Sequence, residues 1–225
     1  TITDANGCST TACTMVGYIA CNITASVIET APILCNGGTA TVLVSATGGT
    51  APITGEGSFT VLAGTHSYTV TDANGCPATT SITISEPAAL VASSTQGASI
   101  LCNAGSTTVT VSAVGGTAPY SGDGTFTVTA GTYNYTVTDA NGCTSSTSIT
   151  VSEPTALVAS SSATDILCNG GTSTVTVSAT GGTAPYSGDG TFTVTAGTYN
   201  YTVTDANGCT SSTSITVSEP TALVA

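Results

Sequence analysis

The sequence contains no Lys, no Arg and no Trp, and only one His and one Met among 225 residues. Without a fixed cation there is nothing to neutralise phosphates, which excludes nucleic acid as a partner. Attraction to anionic lipid is excluded for the same reason. Acidic groups stand unopposed, giving a formal net charge of -12. Charged residues are only 5%, hydrophobic residues are 40%, and roughly a third of the chain is Ser or Thr. That balance is too apolar for a charged disordered segment and too poor in charge for a typical cytosolic enzyme. No apolar run reaches the ~20 residues of a membrane-spanning helix, so no membrane insertion is expected. An initiator Met, a basic leader and an apolar signal core are also missing, so the sequence is expected to be a piece of a longer chain.

What is present is cysteine, nine residues of it, with no pairs at zinc-ligand spacing. Disulfides in an oxidising compartment are expected rather than a metal centre, and no cofactor is implied. An odd count leaves at least one thiol free or bonded outside these residues.

Internal repetition sets the organisation. The run Thr-Asp-Ala-Asn-Gly-Cys ends at Cys8, Cys76, Cys143 and Cys209, in steps of 68, 67 and 66 residues, and Ile-Leu-Cys-Asn places Cys35, Cys102 and Cys168 in steps of 67 and 66. This period is one small domain, not a solenoid turn. Gly115 to Ala159 is identical, residue for residue, to Gly181 to Ala225. The expected division is the end of a preceding module over 1–20, modules over 21–87, 88–154 and 155–220, and the start of another over 221–225.

Within the last module every segment reads as strand. Thr174 to Ala179, Thr191 to Ala196, Tyr199 to Thr204 and Ser214 to Val217 alternate with period two between Thr or Asn and Val, Ile, Phe or Tyr. Gly-rich turns separate them. The expected fold is all-β, a tandem array of small immunoglobulin-like β-sandwiches of about 66 residues. By analogy with that strand order, A spans Ala156 to Leu167, B Thr172 to Ala179, a short C Ala184 to Ser187, E Thr191 to Ala196, F Thr198 to Thr204 and G Cys209 to Ser218. The expected core is Val175, Val177, Phe192, Val194, Tyr199, Tyr201, Val203, Ile215 and Val217. Glu219-Pro220 reads as the module stop, since Pro cannot donate to a ladder.

Three stretches carry a family resemblance: the Cys-Asn-Gly-Gly start, the Thr-Val-x-Val-Ser-Ala-x-Gly-Gly-Thr-Ala-Pro-Tyr middle, and the Ala-Gly-Thr-Tyr-x-Tyr-Thr-Val-Thr-Asp-Ala-Asn-Gly-Cys end. Together they resemble the SprB-type repeats of very large cell-surface gliding adhesins and related exported proteins of Bacteroidota. The resemblance implies export by the type IX route, display on the cell surface, an extended stalk of tandem modules and no catalytic residues. Its partners would be further copies of the same module, in the same or neighbouring chains.

Candidate chemistry is sparse. His66, the one available imidazole, falls in the slot of Tyr133 and Tyr199 and so reads as an aromatic packing position rather than a general base. Asp72, Asp139 and Asp205 precede Asn-Gly turns and are expected to accept backbone N–H bonds. Calcium between modules is the sharper alternative, with Asp139, Glu153, Asp205 and Glu219 as candidates. The Asn-x-Thr sequons at Asn22, Asn134 and Asn200 match chance expectation in so Thr-rich a chain. Outward Thr side chains could accept O-linked glycans in an exported protein.

The cysteines permit two frameworks. In an immunoglobulin-like sandwich B and F run in the same direction, so Cys168 before B and Cys209 after F lie ~20 Å or more apart, beyond the ~7 Å a disulfide spans. In a head-to-tail array the loop entering B abuts the F–G turn of the next module. Cys35 then pairs with Cys143 and Cys102 with Cys209, Cys168 reaches forward, Cys8 backward, and Cys76 backward to Cys21 or Cys13. The intramodule framework is Cys35–Cys76, Cys102–Cys143 and Cys168–Cys209. Loop entropy does not separate them, at ~4 kcal/mol for the short loop and ~4.7 for one near 100 residues.

The function expected is the structural shaft of an extracellular adhesin or surface filament. The alternatives are an array of glycan-binding modules, which the absence of Trp disfavours, and a filament subunit that polymerises by strand exchange. An enzyme lacks residues for any standard mechanism.

Overall fold

A computed structural model describes residues 2–11 and 21–224, so Cys13 lies outside the described residues. Among these, every named element is a strand and every pairing is antiparallel. The chain divides into two compact units, Thr1–Ala89 and Leu90–Ala225.

In the first unit β1 (Ile2–Thr3) pairs with β2 (Ser9–Thr10). A three-stranded sheet follows, β3 (Thr24–Ala31), β4 (Ala40–Thr47) and β5 (Gly57–Val61), with β4 central. A hairpin of β6 (Gly64–Thr71) and β7 (Pro77–Ile84) forms the second layer.

The second unit repeats that pattern twice. β8 (Val91–Gln96), β9 (Thr107–Val114) and β10 (Gly124–Val128) form one sheet, opposed by the hairpin β11 (Gly131–Thr138) and β12 (Thr144–Val151). Then β13 (Val158–Ala163), β14 (Ser173–Thr180) and β15 (Gly190–Val194) are opposed by β16 (Gly197–Thr204) and β17 (Thr210–Val217). The short C segment is one bridge, Ser187 to Thr204, beside β16. Strands A, B and E thus share one sheet, and C, F and G the other.

Period-two alternation buries one side of each sheet. Val175, Val177, Val203 and Val217 meet Ile166 in the last sandwich, and Val109, Val111, Val137 and Val151 meet Ile100 in the one before. One expected core member, Phe192, stays outside the buried cluster, and one unexpected residue, Ile166, enters it. Phe192 pairs with Val175 and so faces inward, but it sits on the edge strand β15 and stays 37% exposed, its ring centroid 4.8 Å from that of Tyr201. Strand A is shorter than expected, ending at Ala163, and Ile166 turns into the core from the loop beyond it.

Ser and Thr close the flank between strands A and G. The Ala159 N–H donates to Ser211 Oγ at 3.1 Å and Ser161 Oγ meets Thr213 Oγ1 at 2.9 Å; Ala92 to Ser145 and Ser94 to Thr147 repeat this at 3.0 Å. Numbers rise together on both strands, so A and G run parallel. Since A opposes B and G opposes F, B and F run the same way. Outward hydroxyls pair across the hairpins, Thr132 with Thr150 at 3.0 Å and Thr198 with Thr216 at 2.9 Å, each such pair contributing about 0.2–1 kcal/mol.

Candidate functional site

The Thr-Asp-Ala-Asn-Gly-Cys turn is built around its aspartate. Asp205 Oδ1 accepts the N–H groups of Asn207 and Cys209, and Oδ2 that of Thr183, all at 2.9 Å. The Asp205 N–H donates to Cys209 O, and Gly208 N–H to Asp205 O, closing the loop at one residue past Gly208, whose φ is +85°. Asn207 Nδ2 adds a bond to Thr183 Oγ1 at 3.0 Å. The turn is welded to the Gly-Gly-Thr-Ala-Pro loop, and Cys209 closes it opposite Asp205. Asp139 makes the same three bonds at 2.9 Å, and Asp72 does so at 2.9–3.0 Å.

These carboxyls sit below their ordinary value. Burial pushes Asp139 and Asp205 up, but the backbone N–H groups of Thr117, Cys143, Asn141 and Gly142, or of Thr183, Cys209, Asn207 and Gly208, together outweigh it. For Asp72 the Cys76 N–H leads, then Thr50, against burial, with Asn74 adding to the same side.

The second half of the site is the Ile-Leu-Cys-Asn loop. Glu153 Oε2 accepts the Ala104 N–H at 2.6 Å, while Asn103 Nδ2 donates to Glu153 Oε1 at 3.1 Å and to Pro154 O at 3.2 Å. Glu219 holds Gly170 at 2.6 Å, and Asn169 reaches Pro220 O at 3.1 Å; Glu86, Gly37, Asn36 and Pro87 repeat both distances. The Glu-Pro pair, read in the sequence as a stop, therefore clamps the cysteine loop of its own module. Nothing in the periodicity signals this; the 49–51-residue offset from the Cys-Asn loop to Glu-Pro, kept in each repeat, is the signal available.

Within the second unit the two halves meet. Cys102 is bonded to Cys209, with Cα atoms 5.7 Å apart, and Asn207 Nδ2 donates to Leu101 O at 3.2 Å. The turn at the far end of β16 thus locks onto the loop that enters β9 of the preceding sandwich. Cys21 is bonded to Cys76. These bonds exclude the whole intramodule framework, Cys35–Cys76, Cys102–Cys143 and Cys168–Cys209. The reason is directional: the cysteine before strand B and the cysteine after strand F of one sandwich stand at opposite ends of strands that run the same way. Cys35 and Cys143 are also disulfide-bonded, whereas Cys8 and Cys168 are free and exposed.

The structure places the calcium candidates in these hydrogen-bond roles. Asp139 and Asp205 sit inside their turns, and Glu153 and Glu219 hold backbone N–H groups. Among the described residues no group of three or more His, Cys, Asp or Glu is arranged to hold a metal ion. His66 Nε2 lies 2.9 Å from Leu62 O, where Tyr133 and Tyr199 donate their hydroxyls to Thr129 O and Thr195 O.

Residues 160–187 match the SprB repeat family. This segment runs from β13 through the free Cys168 and β14 to the bridge at Ser187, and it agrees with the resemblance carried by the sequence. No curated protein matches the chain.

Proposed function

We propose that this chain is part of the structural shaft of an extracellular adhesin or surface filament, in which β-sandwich modules are joined end to end by disulfides and no catalysis occurs. The observation that supports it most is the Cys102–Cys209 bond, which ties one sandwich to the next instead of closing a loop within one. A domain of ~66 residues is marginal alone, and a bond between neighbours supplies stability while carrying tension that a bare Pro linker would leave to extension. The SprB match and the disulfides favour a surface location. From their equivalent sequence positions we also propose that Cys35 pairs with Cys143. The remaining partners proposed are further copies of the module and glycans on outward Thr.

Immunogold electron microscopy of intact source cells, with antibody against residues 90–224, tests this reading. Label along extended surface fibres is the expected result. Label confined to the cytoplasm, or purified short particles retained on a glycan column, would overturn it.

A further inference from the structure

The sequence holds six Asn-Gly pairs, the dipeptide in which the following backbone nitrogen most readily attacks the side-chain amide, because Gly puts no Cβ in the way. The fold sorts them by what each Gly N–H meets. In the turns, Gly75 N–H donates to Asp72 O at 2.9 Å and Gly208 N–H to Asp205 O at 3.0 Å, and the amides of Asn74 and Asn207 are tied to Thr50 Oγ1 and Thr183 Oγ1. A backbone carbonyl is too weak a base to take the nitrogen's proton. In the clamped loops, Gly37 N–H donates to Glu86 Oε2 and Gly170 N–H to Glu219 Oε2, both at 2.6 Å. Here the attacking nitrogen rests on a carboxylate, at the short length of a charge-assisted bond.

The middle repeat shows the reach of that carboxylate and lacks the other requirement. Glu153 Oε2 holds the Ala104 N–H at 2.6 Å while its Oε1 accepts from Asn103 Nδ2 at 3.1 Å. One carboxylate thus touches both the nitrogen placed to attack and the nitrogen placed to leave. Residue 104 is Ala, however, and its Cβ crowds the attack. The chain therefore offers base and Gly together at Asn36 and Asn169, Gly without the base at Asn74 and Asn207, and the base without Gly at Asn103.

We propose that Asn36 and Asn169 are sites of self-modification, converted through a succinimide to aspartate and isoaspartate with Glu86 and Glu219 as the general bases. The Gly37 N–H proton passes to Glu86 Oε2 as the nitrogen bonds to Asn36 Cγ. The Cγ–Nδ2 bond breaks, and Nδ2 takes the proton back from Glu86 and leaves as ammonia. Water, which reaches Asn36 and Gly37 at the exposed surface, then adds to one of the two ring carbonyls. Ring opening at Cγ gives aspartate, and opening at the main-chain carbonyl gives isoaspartate. No electron is gained or lost. Either product removes the amide that donated to Pro87 O and puts a new carboxylate beside Glu86, so the clamp on the loop of Cys35 opens.

The test follows the whole folded chain at neutral pH in isotope-labelled water, so that conversion during later handling carries no label. Samples are reduced, cut after Glu and weighed; Asn36 is then the one Asn of peptide 30–56, and Asn74 the one Asn of peptide 57–86. Label should enter 30–56 well ahead of 57–86, with isoaspartate among the products, while Asn103 stays intact. Unfolding in urea should bring Asn36 and Asn74 to the same rate. Glu86→Gln keeps an oxygen that can accept the Gly37 N–H but removes the base, and should slow Asn36 by about 10²-fold or more. A carboxylate that only held the loop still would give the opposite sign, since a loosened loop reacts faster. Ala104→Gly should bring Asn103 up to the rate of Asn36. Equal labelling of Asn36 and Asn74 in the folded chain, an unchanged or faster Asn36 in Glu86→Gln, or an inert Asn103 in Ala104→Gly would overturn the proposal.

Discussion

Cys102 and Cys209, 107 residues apart, are held with Cα atoms 5.7 Å apart by a disulfide that joins two separate hydrophobic cores. Closing so long a loop takes a large entropy from the unfolded chain, about 4.7 kcal/mol near 100 residues, and measured disulfides commonly deliver 2–5. The double substitution Cys102→Ser with Cys209→Ser removes the bond without leaving a reactive thiol. It should lower the unfolding free energy by about 2–5 kcal/mol, read as a lower denaturant midpoint. A change under about 0.5 kcal/mol would mean that the two sandwiches unfold independently and that the bond adds nothing to folding.

The lowered carboxyls of Asp72, Asp139 and Asp205 set a pH dependence. A folded value below the unfolded one binds fewer protons in the native state, so stability is fully present above the unfolded value, near 3.9. It is lost as pH falls through the lower folded values. The melting temperature should therefore be level from pH 7 to about 5 and fall steeply below about 4. Asp205→Asn keeps the shape of the turn but cannot ionise, so it should be less stable at pH 7 and lose part of that acid slope. An unchanged slope in the triple Asn variant would count against the turns as its source.

The repeats and the strand alternation were legible because Thr-Val-Thr-Val patterning is a local signal. The burial of Phe192 was not, since alternation reports which face a side chain takes and not whether a neighbouring strand covers it. Ile166 escaped because it lies past the end of β13, where no period marks it. The Glu219 clamp escaped because its partner Gly170 is 49 residues away, and the Pro beside Glu219 already gave that position a reason. Cys21 was recognisable as a partner of Cys76 only through the count of thiols left over.

Backbone conformation at the clamped loop gives another prediction. Ala104 has φ +60°, the one described non-Gly residue at positive φ, in the slot held by Gly37 at +76° and Gly170 at +79°. A side chain there costs about 1–2 kcal/mol, partly offset by the greater unfolded freedom of Gly. Ala104→Gly should stabilise by about 0.5–1 kcal/mol and Gly170→Ala destabilise by a similar amount. Gly171→Ala should cost more, about 1–3 kcal/mol, because its Cβ would stand 2.9 Å from Cys168 O and 3.0 Å from Ile166 Cγ2. Equal effects at Gly170 and Gly171 would refute this ordering, and chemical denaturation of the three variants reads it directly.

His66 offers the complementary case, a slot filled by a different ring. Its Nε2 meets Leu62 O at 2.9 Å, and the hydroxyls of Tyr133 and Tyr199 meet the equivalent carbonyls at 3.0 and 3.1 Å. In each repeat one aromatic side chain reaches back across the turn between strands E and F to a carbonyl four residues earlier. His66→Tyr therefore keeps the bond and adds apolar area, and should be neutral to stabilising by up to about 1 kcal/mol. His66→Ala loses both the bond and the packing and should cost about 1–2 kcal/mol. Melting curves of the two variants decide the matter: a Tyr variant as unstable as the Ala variant would show that the imidazole is held for some property a phenol lacks.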